Sequence, residues 1–228
     1  MARTPFVWLG AGRARKRGVA EVTAVLDDIA RAGLPVPAGA VLLDELYRIL
    51  LNEGVVELTG TFIVVPDPIW LTEVIYRDVR LPRLAKPVFV GRADAEQIPA
   101  GAAPASDFSD PEQVAAALRR VWSEQEIDDA GARHDVLLIE QIAAKHAGTA
   151  DIAEDKLVDH VLVDGTDTAL ELAQLRSFQG ADAALPSYAQ RLQKLLRGLR
   201  RTLDDGRWRI AWADDGAICW VTAVVAKR

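Results

Sequence analysis

Residues 31–43 read RAGLPVPAGAVLL, and they separate two stretches of helical character. Upstream, Val22, Val25, Leu26 and Ile29 recur on one helical face. Downstream, Asp44 is a residue type that caps helix N-termini, here ahead of Glu45–Asn52. Gly33 stands where the first helix must end, because glycine takes the left-handed C′ conformation without steric cost. Pro35 and Pro37 fix φ and hold the chain extended. Ala40–Leu43 then reads as a short buried strand. Helix, stiffened crossing and strand together make a helix-to-strand connection of an α/β protein.

Working outward, Phe6–Leu9 forms an apolar strand and GAGRARKRG a basic, glycine-rich turn before the helix over 19–32. VVELTGTFIVV (55–65) reads as a hairpin split by Gly60, followed by a short helix near Trp70–Arg77. KPVFV gives another strand, and residues 91–110 a long Ala/Gly/Pro-rich loop. Asp110 caps a helix with Pro111 at its first position. DVLLIEQI (135–142) is a buried strand. HVLVDG reads as a strand, with a helix after Thr168. Ser187 and Gln190 have capping-box spacing ahead of a leucine-lined helix to about 204, with Gly206 just past its end. RWRIAWADDGAICWVTAVV closes as a hairpin about Asp215-Gly216, with Trp212 and Trp220 read as a cross-strand pair. Helices and strands alternate throughout, which predicts an α/β (α+β) fold.

The totals narrow the class. The chain has 228 residues, of which 50% are hydrophobic, enough to build a core. No apolar run reaches membrane-spanning length. A net charge of −6 argues against general nucleic-acid binding. The one cysteine, Cys219, excludes an internal disulfide and fits a reducing compartment. The N-terminal segment has its basic cluster after its apolar residues, the wrong order for a secretory signal. The expectation is a cytoplasmic protein with no membrane or nucleic-acid partner.

RAGLPVPAGAVLLDELYRIL resembles a signature of the phosphoenolpyruvate synthase and pyruvate phosphate dikinase family, near the start of its ATP-grasp nucleotide-binding domain. VFVGRADAEQIP, PEQVAAALRRVWSE, VLLIEQI and WRIAWADDGAICWVTAV resemble later family segments in the same order. The resemblance implies a single two-lobed ATP-grasp-like domain with mixed sheets and flanking helices. Its N-terminal lobe would cover about 1–130 and its C-terminal lobe about 131–228. It implies ATP and magnesium as cofactors, with adenine against the edge of Leu138–Ile142 and the phosphates nearest Arg92. The nucleotide-binding candidates are therefore Arg92, Glu140, Ile142 and Lys16. The chain has no room for the family's phosphohistidine and phosphoenolpyruvate or pyruvate domains, so a protein carrying them is the implied partner.

Carried over position by position, the family's chemistry thins out. Its first lysine falls on Val22, leaving Lys16 or Arg17 as substitutes only across an insertion. Its arginine falls on Val90, with Arg92 two residues along on the same strand face. In the terminal hairpin the magnesium-binding glutamate falls on Ile210, the glutamine on Thr222 and the arginine on Val224. Isoleucine offers no oxygen to magnesium. Asp214 and Asp215 occupy the turn, where local hydrogen bonding is the favoured role. No catalytic or metal-ligating residue is assigned.

The remaining features read as structural. His134, His146 and His160 lack a metal-ligand spacing. GAGRARKRG lacks the spacing of a phosphate loop, so a basic turn is favoured over anion binding. The stripe of Arg191, Lys194, Arg197, Arg200 and Arg201 reads as a solvated helix face rather than a site for an acidic partner. Cys219 reads as structural. Two functions follow: a non-catalytic regulatory or interaction module, or an ATP-binding phosphotransferase component acting with separate domains.

Overall fold

The chain opens with β1 (Phe6–Trp8), passes a 3₁₀ turn at Arg15–Arg17 and enters α1 (Glu21–Arg31). Gly33 closes α1 at φ 81°. Its N–H donates to the Ala30 carbonyl at 3.0 Å and that of Leu34 to Ile29 at 3.3 Å, the paired bonds of a Schellman cap. β2 (Gly39–Leu42) and α2 (Asp44–Asn52) follow. Next come a small ribbon, β3 (Glu57–Thr59) and β4 (Phe62–Val64), and α3 (Pro68–Glu73), continued by a π-helical turn at Val74–Asp78. β5 (Val88–Arg92), β6 (Ala105–Ser106), α4 (Pro111–Ser123) and β7 (Val136–Glu140) complete the first half. The second half runs β8 (His146–Ala153), β9 (Val158–Val163), β10 (Leu170–Ala173), α5 (Ser187–Thr202), β11 (Arg207–Asp214) and β12 (Cys219–Lys227).

This computed structural model describes residues 4–60, 62–84, 87–95, 105–124, 133–153, 157–164, 169–204 and 206–227. Much of the expected loop over 91–110 lies outside them. Two five-stranded sheets dominate, in the orders β1-β2-β7-β5-β6 and β10-β9-β8-β11-β12. Every described strand pairing in them is antiparallel. With helices flanking both, the class is α/β with antiparallel sheets. β7 lies between β2 and β5, so the first sheet reaches past residue 130.

Two apolar cores follow from strand periodicity. Val41, Leu137 and Ile139 face α1 and share one core with Leu196, Ile210, Trp212 and Val224 of the second half. Leu42, Val90 and Leu138 point the other way, against Leu46 of α2 and Leu118 and Trp122 of α4. Because both faces of β7 are covered, its sequence is a continuous apolar run rather than an alternation.

The 31–43 stretch joins the halves. The Pro35 carbonyl accepts the Val221 N–H at 2.8 Å, so the proline-stiffened segment lies along the edge of β12. Leu34 packs on Gly198 of α5, where an added Cβ would stand 2.6 Å from Leu34 Cδ2.

Four local expectations need correction. Asp44 is not a cap: Leu43 holds that position, and the Asp44 carboxylate accepts from the His134 N–H and Arg48. Ser187 likewise makes no capping bond, because the chain enters α5 at Pro186. The helix expected after Thr168 is in its described part strand β10, paired with β9. Trp212 and Trp220 are not partners. The hairpin connection spans four residues, Asp214 pairs with Cys219, and Trp212 opposes Val221 while Trp220 opposes Ala213. A one-residue slip in register moves a side chain to the opposite face. Trp212 is accordingly core, and Trp220 packs with Ile142 and Ala147 on a separate small cluster.

Candidate functional site

The glycine-rich loop after β1 does form an anion-receiving concavity. Gly10 and Gly12 adopt φ 89° and 63°, turning successive N–H groups toward one point. That point is held by the protein's own carboxylate. Asp27, 1% exposed on α1, accepts the N–H groups of Gly10 at 2.7 Å, Gly12 at 3.1 Å and Ala14 at 2.9 Å. The loop's donors are thus spent internally. Lys16 sits exposed on the following 3₁₀ turn.

Arg92 ends β5 and makes a two-pronged pair with Asp94, Nε to Oδ1 at 2.8 Å and Nη2 to Oδ2 at 2.6 Å. The guanidinium holds the Asp94 carboxyl below its usual value. Arg92 Nη1 also donates to the Glu124 carbonyl at 3.3 Å. Thr23 of α1 donates to the Ala93 carbonyl at 2.5 Å, so the start of α1 and the end of β5 meet at one end of the first sheet. The Lys16 turn lies just before this start of α1.

Beside them, the β2–β7 ladder ends at Leu42 and Val136, and two buried aspartates continue it. Asp44 N–H donates to Asp135 at 2.8 Å, and His134 N–H donates to Asp44 at 3.1 Å. Burial pushes the Asp44 carboxyl up, but the His134 N–H and the Arg48 guanidinium together hold it below its ordinary value. Arg133 grips Asp135 with two bonds. The His134 ring stacks on Tyr47 at 4.2 Å, with Nδ1 3.3 Å from Asp44.

Glu140 and Ile142 lie at the other end. Glu140 pairs in register with Val88, while Arg92 pairs with Val136. Four strand positions separate the two ends, about 13 Å. The structure brings Lys16 and Arg92 to one end of the sheet and Glu140 and Ile142 to the opposite one. Backbone donors around Ile142 are largely engaged: Gln141 N–H to Pro87, Ala144 N–H to Ile142, and Lys145 N–H to Asp214, at 2.8, 2.8 and 2.7 Å. The Ile142 side chain is buried with Ala147 and Ala213.

In the terminal hairpin, Ile210 and Val224 face each other across the ladder, 0% and 1% exposed in the shared core. Thr222 is the extra residue between Val221 and Ala223, whose partners Trp212 and Ala211 are adjacent. This bulge buries its hydroxyl with no hydrogen-bond partner among the described residues. Asp215 has the turn role expected of it, whereas Asp214 ends β11 and adds a long-range ion pair to its local bond. Asp215 accepts the N–H groups of Ala217 and Ile218 and the Trp220 indole. Asp214, fully buried, accepts from Gly216 and pairs with Arg191 through two bonds of 2.7 Å.

Arg191 is one of three arginines in the α5 stripe that are not simply solvated. Arg200 pairs with buried Asp159, and Arg197 donates to the Gln179 carbonyl. These arginines pin α5 onto the second sheet and its loop. Burial, only partly offset by Arg200, pushes the Asp159 carboxyl up. Sequence reasoning missed Asp27, Asp135 and Asp159. The available signal was an acidic residue interrupting an apolar stripe or strand, as Asp27 does one turn after Thr23.

Among the described residues no group of three His, Cys, Asp or Glu side chains could hold a metal ion. No helix among them is long and apolar enough to cross a membrane. No protein-family model matches the chain, and no curated protein matches it. Among solved structures it is similar to L-amino acid ligase from Bacillus licheniformis, at 12% identity over 90% of this chain and 39% of that one, TM-score 0.46. It is similar to D-alanine–D-alanine ligase from Bacillus anthracis complexed with ATP, at 12% identity over 94% and 62%, TM-score 0.45. An ATP-grasp ligase complexed with a minimal precursor aligns at 12% identity over 96% and 56%, TM-score 0.42. The chain spans less than two thirds of the length of these structures.

Proposed function

We propose that the chain is a non-catalytic, ATP-grasp-like module of the phosphoenolpyruvate synthase and pyruvate phosphate dikinase type, working through contact with another protein. The observation that carries this reading is the placement of Ile210 and Val224. The resemblance puts a magnesium carboxylate and a phosphate cation at these positions. Here they oppose each other inside the apolar core, where a charge would lack both water and a partner. The residues at these positions therefore do not fit magnesium. Val22 leaves the lysine position without a cation. Other charged groups of the candidate site are paired internally: Arg92 with Asp94, Arg191 with Asp214, and Asp27 with three backbone donors.

The test is incubation of the chain with radiolabelled ATP, magnesium and pyruvate, followed by product separation and a check for labelled protein. The expected result is neither turnover nor label. Phosphoryl transfer depends on positioned charge, and removing one preorganised group commonly costs about 10²–10³ in rate. Turnover that vanishes in Arg92→Ala refutes the reading and selects a phosphotransferase component supplied by separate phosphohistidine or phosphoenolpyruvate domains. The position of the Lys16 turn and Arg92 at the same end of the first sheet favours that alternative. Calorimetric titration with ATP and magnesium then reads whether nucleotide still binds.

A further inference from the structure

Five of the ten large apolar side chains exposed among the described residues lie within 58–70: Leu58, Phe62, Val64, Ile69 and Trp70. Phe62 and Ile69 are 72% and 63% exposed. These residues belong to the β3–β4 ribbon and the start of α3. Register puts Phe62 and Val64 on one face of the ribbon with Thr59 and Glu57. Ile63 points the opposite way and anchors the ribbon in the second core. A two-stranded ribbon is marginal on its own, and a third strand is what normally stabilises one.

β3 offers that place. All three of its residues are exposed, and among the described residues it pairs with β4 alone. An edge strand presents a row of unpaired N–H and C=O groups, and proteins commonly block it with lysine, proline or a bulge. Glu57-Leu58-Thr59 carries none of these. The charge along this stretch of sequence has a single sign. From Ile49 to Tyr76 the chain has four acidic residues and no lysine, arginine or histidine. Asp67 is occupied in capping α3, and Glu73 pairs with Arg77. Glu53 and Glu57 are exposed and have no ion-pair partner among the described residues.

We propose that β3 is a docking edge for an extended basic and apolar segment of a partner protein, which adds as a third strand of the ribbon. Its backbone pairs with β3, its apolar residues cover Phe62 and Val64, and its cations meet Glu53 and Glu57. A second copy of this chain is disfavoured, because it brings the same carboxylates. The chain's own basic turn is engaged elsewhere, with Arg15 on Glu21 and Asp28 and Arg17 on Glu45. An anionic membrane surface is repelled by the same charges. The assignment rests on the reading of the chain as an interaction module. It is tested apart from that reading, since phosphoryl transfer reports on Ile210 and Val224 and strand addition on β3.

The probe is a capped ten-residue peptide alternating valine and lysine, titrated into the full chain by calorimetry. Hydrogen exchange of the Leu58 and Thr59 amides is followed in parallel. Controls are the valine–glutamate peptide and a valine–lysine peptide with two central prolines, which cannot complete a ladder. Expected are binding of the first peptide alone, slowed exchange in β3, and about tenfold weaker binding for Phe62→Ser and for Glu57→Lys. Both side chains are exposed, so unfolding midpoints of the variants should match the wild type. Equal binding of all three peptides shows simple charge attraction and overturns the proposal. Undetectable binding of the valine–lysine peptide overturns it as well. Concentration-dependent dimers that Phe62→Ser dissociates in sedimentation assign the edge to a second copy and also overturn it.

Discussion

Replacing Asp27 by alanine removes the anion around which the first loop is built. Three backbone N–H groups lose their acceptor together. Ala14 is fully buried, so its orphaned N–H carries a full desolvation penalty of about 2 kcal/mol. The Gly10 and Gly12 donors are part-buried and regain some water, so each loses nearer 1 kcal/mol. These terms share one acceptor and are not independent, which puts the expected loss at about 3 kcal/mol. Asp27→Asn keeps one acceptor oxygen and turns an amide donor toward the loop, for about half that loss. Urea unfolding followed by tryptophan fluorescence reads both. The emptied concavity should then accept an external anion, because its glycines still aim their N–H groups inward. Phosphate at ten times its dissociation constant should return about 1.4 kcal/mol to Asp27→Ala and leave the wild type unchanged. A loss below about 1 kcal/mol, or an equal phosphate effect on both proteins, would refute the reasoning.

Arg191→Ala strands fully buried Asp214 and should cost about 3–5 kcal/mol, measured by the same unfolding assay. Trp212→Ala should cost about 3–5 kcal/mol, as a large core side chain does, and Trp220→Ala clearly less, since that ring is only half-buried; thermal unfolding of the two variants checks the order. Burial and neighbouring Asp214 push the Cys219 thiol up to about 12, so iodoacetamide at pH 8 should label it only at the rate of unfolding, as mass spectrometry will show. Asp44 titrates below its ordinary 3.8, so its stabilising contribution is complete above that pH and is lost as pH falls through the lower folded value. Asp159 is raised above 3.8, so its folded form takes up protons first and its contribution declines as pH rises through the window above 3.8. Acid titrations of Asp44→Asn and Asp159→Asn should therefore differ from wild type in opposite directions.

Local signals with a single physical cause were readable without coordinates. Gly33 ends α1 because nothing else takes that φ so easily, and Asp110 with Pro111 starts α4 for an equally local reason. The buried strand at 136–140 announced itself by composition. β8 did not, because HAGTADIA is built of small residues. An added Cβ at Gly148 would stand against the Leu162 carbonyl, so close strand approach overrides the usual preference for branched side chains. LELA contains good helix formers, yet pairing with β9 buries Leu172 fully and decides for strand. The tryptophan register failed on loop length: opposing Trp212 and Trp220 needs three connecting residues, and the hairpin has four. At the candidate site, Arg92 and Lys16 could be picked out by type. That Asp94 holds Arg92 and Asp27 fills the loop depends on contacts no residue pattern displays.

The bond from Val221 to the Pro35 carbonyl also bears on how the protein is made. Helix α1 and the proline segment leave the ribosome well before β12, which covers them. Until then the apolar stripe of α1 has no second sheet to meet, and the nascent chain carries a half-built core. Folding is governed by late closure between distant segments, the situation in which partly folded chains are slow and prone to aggregate. A chain interrupted before the β11–β12 hairpin is a substrate for chaperones and proteases rather than a slightly weaker protein.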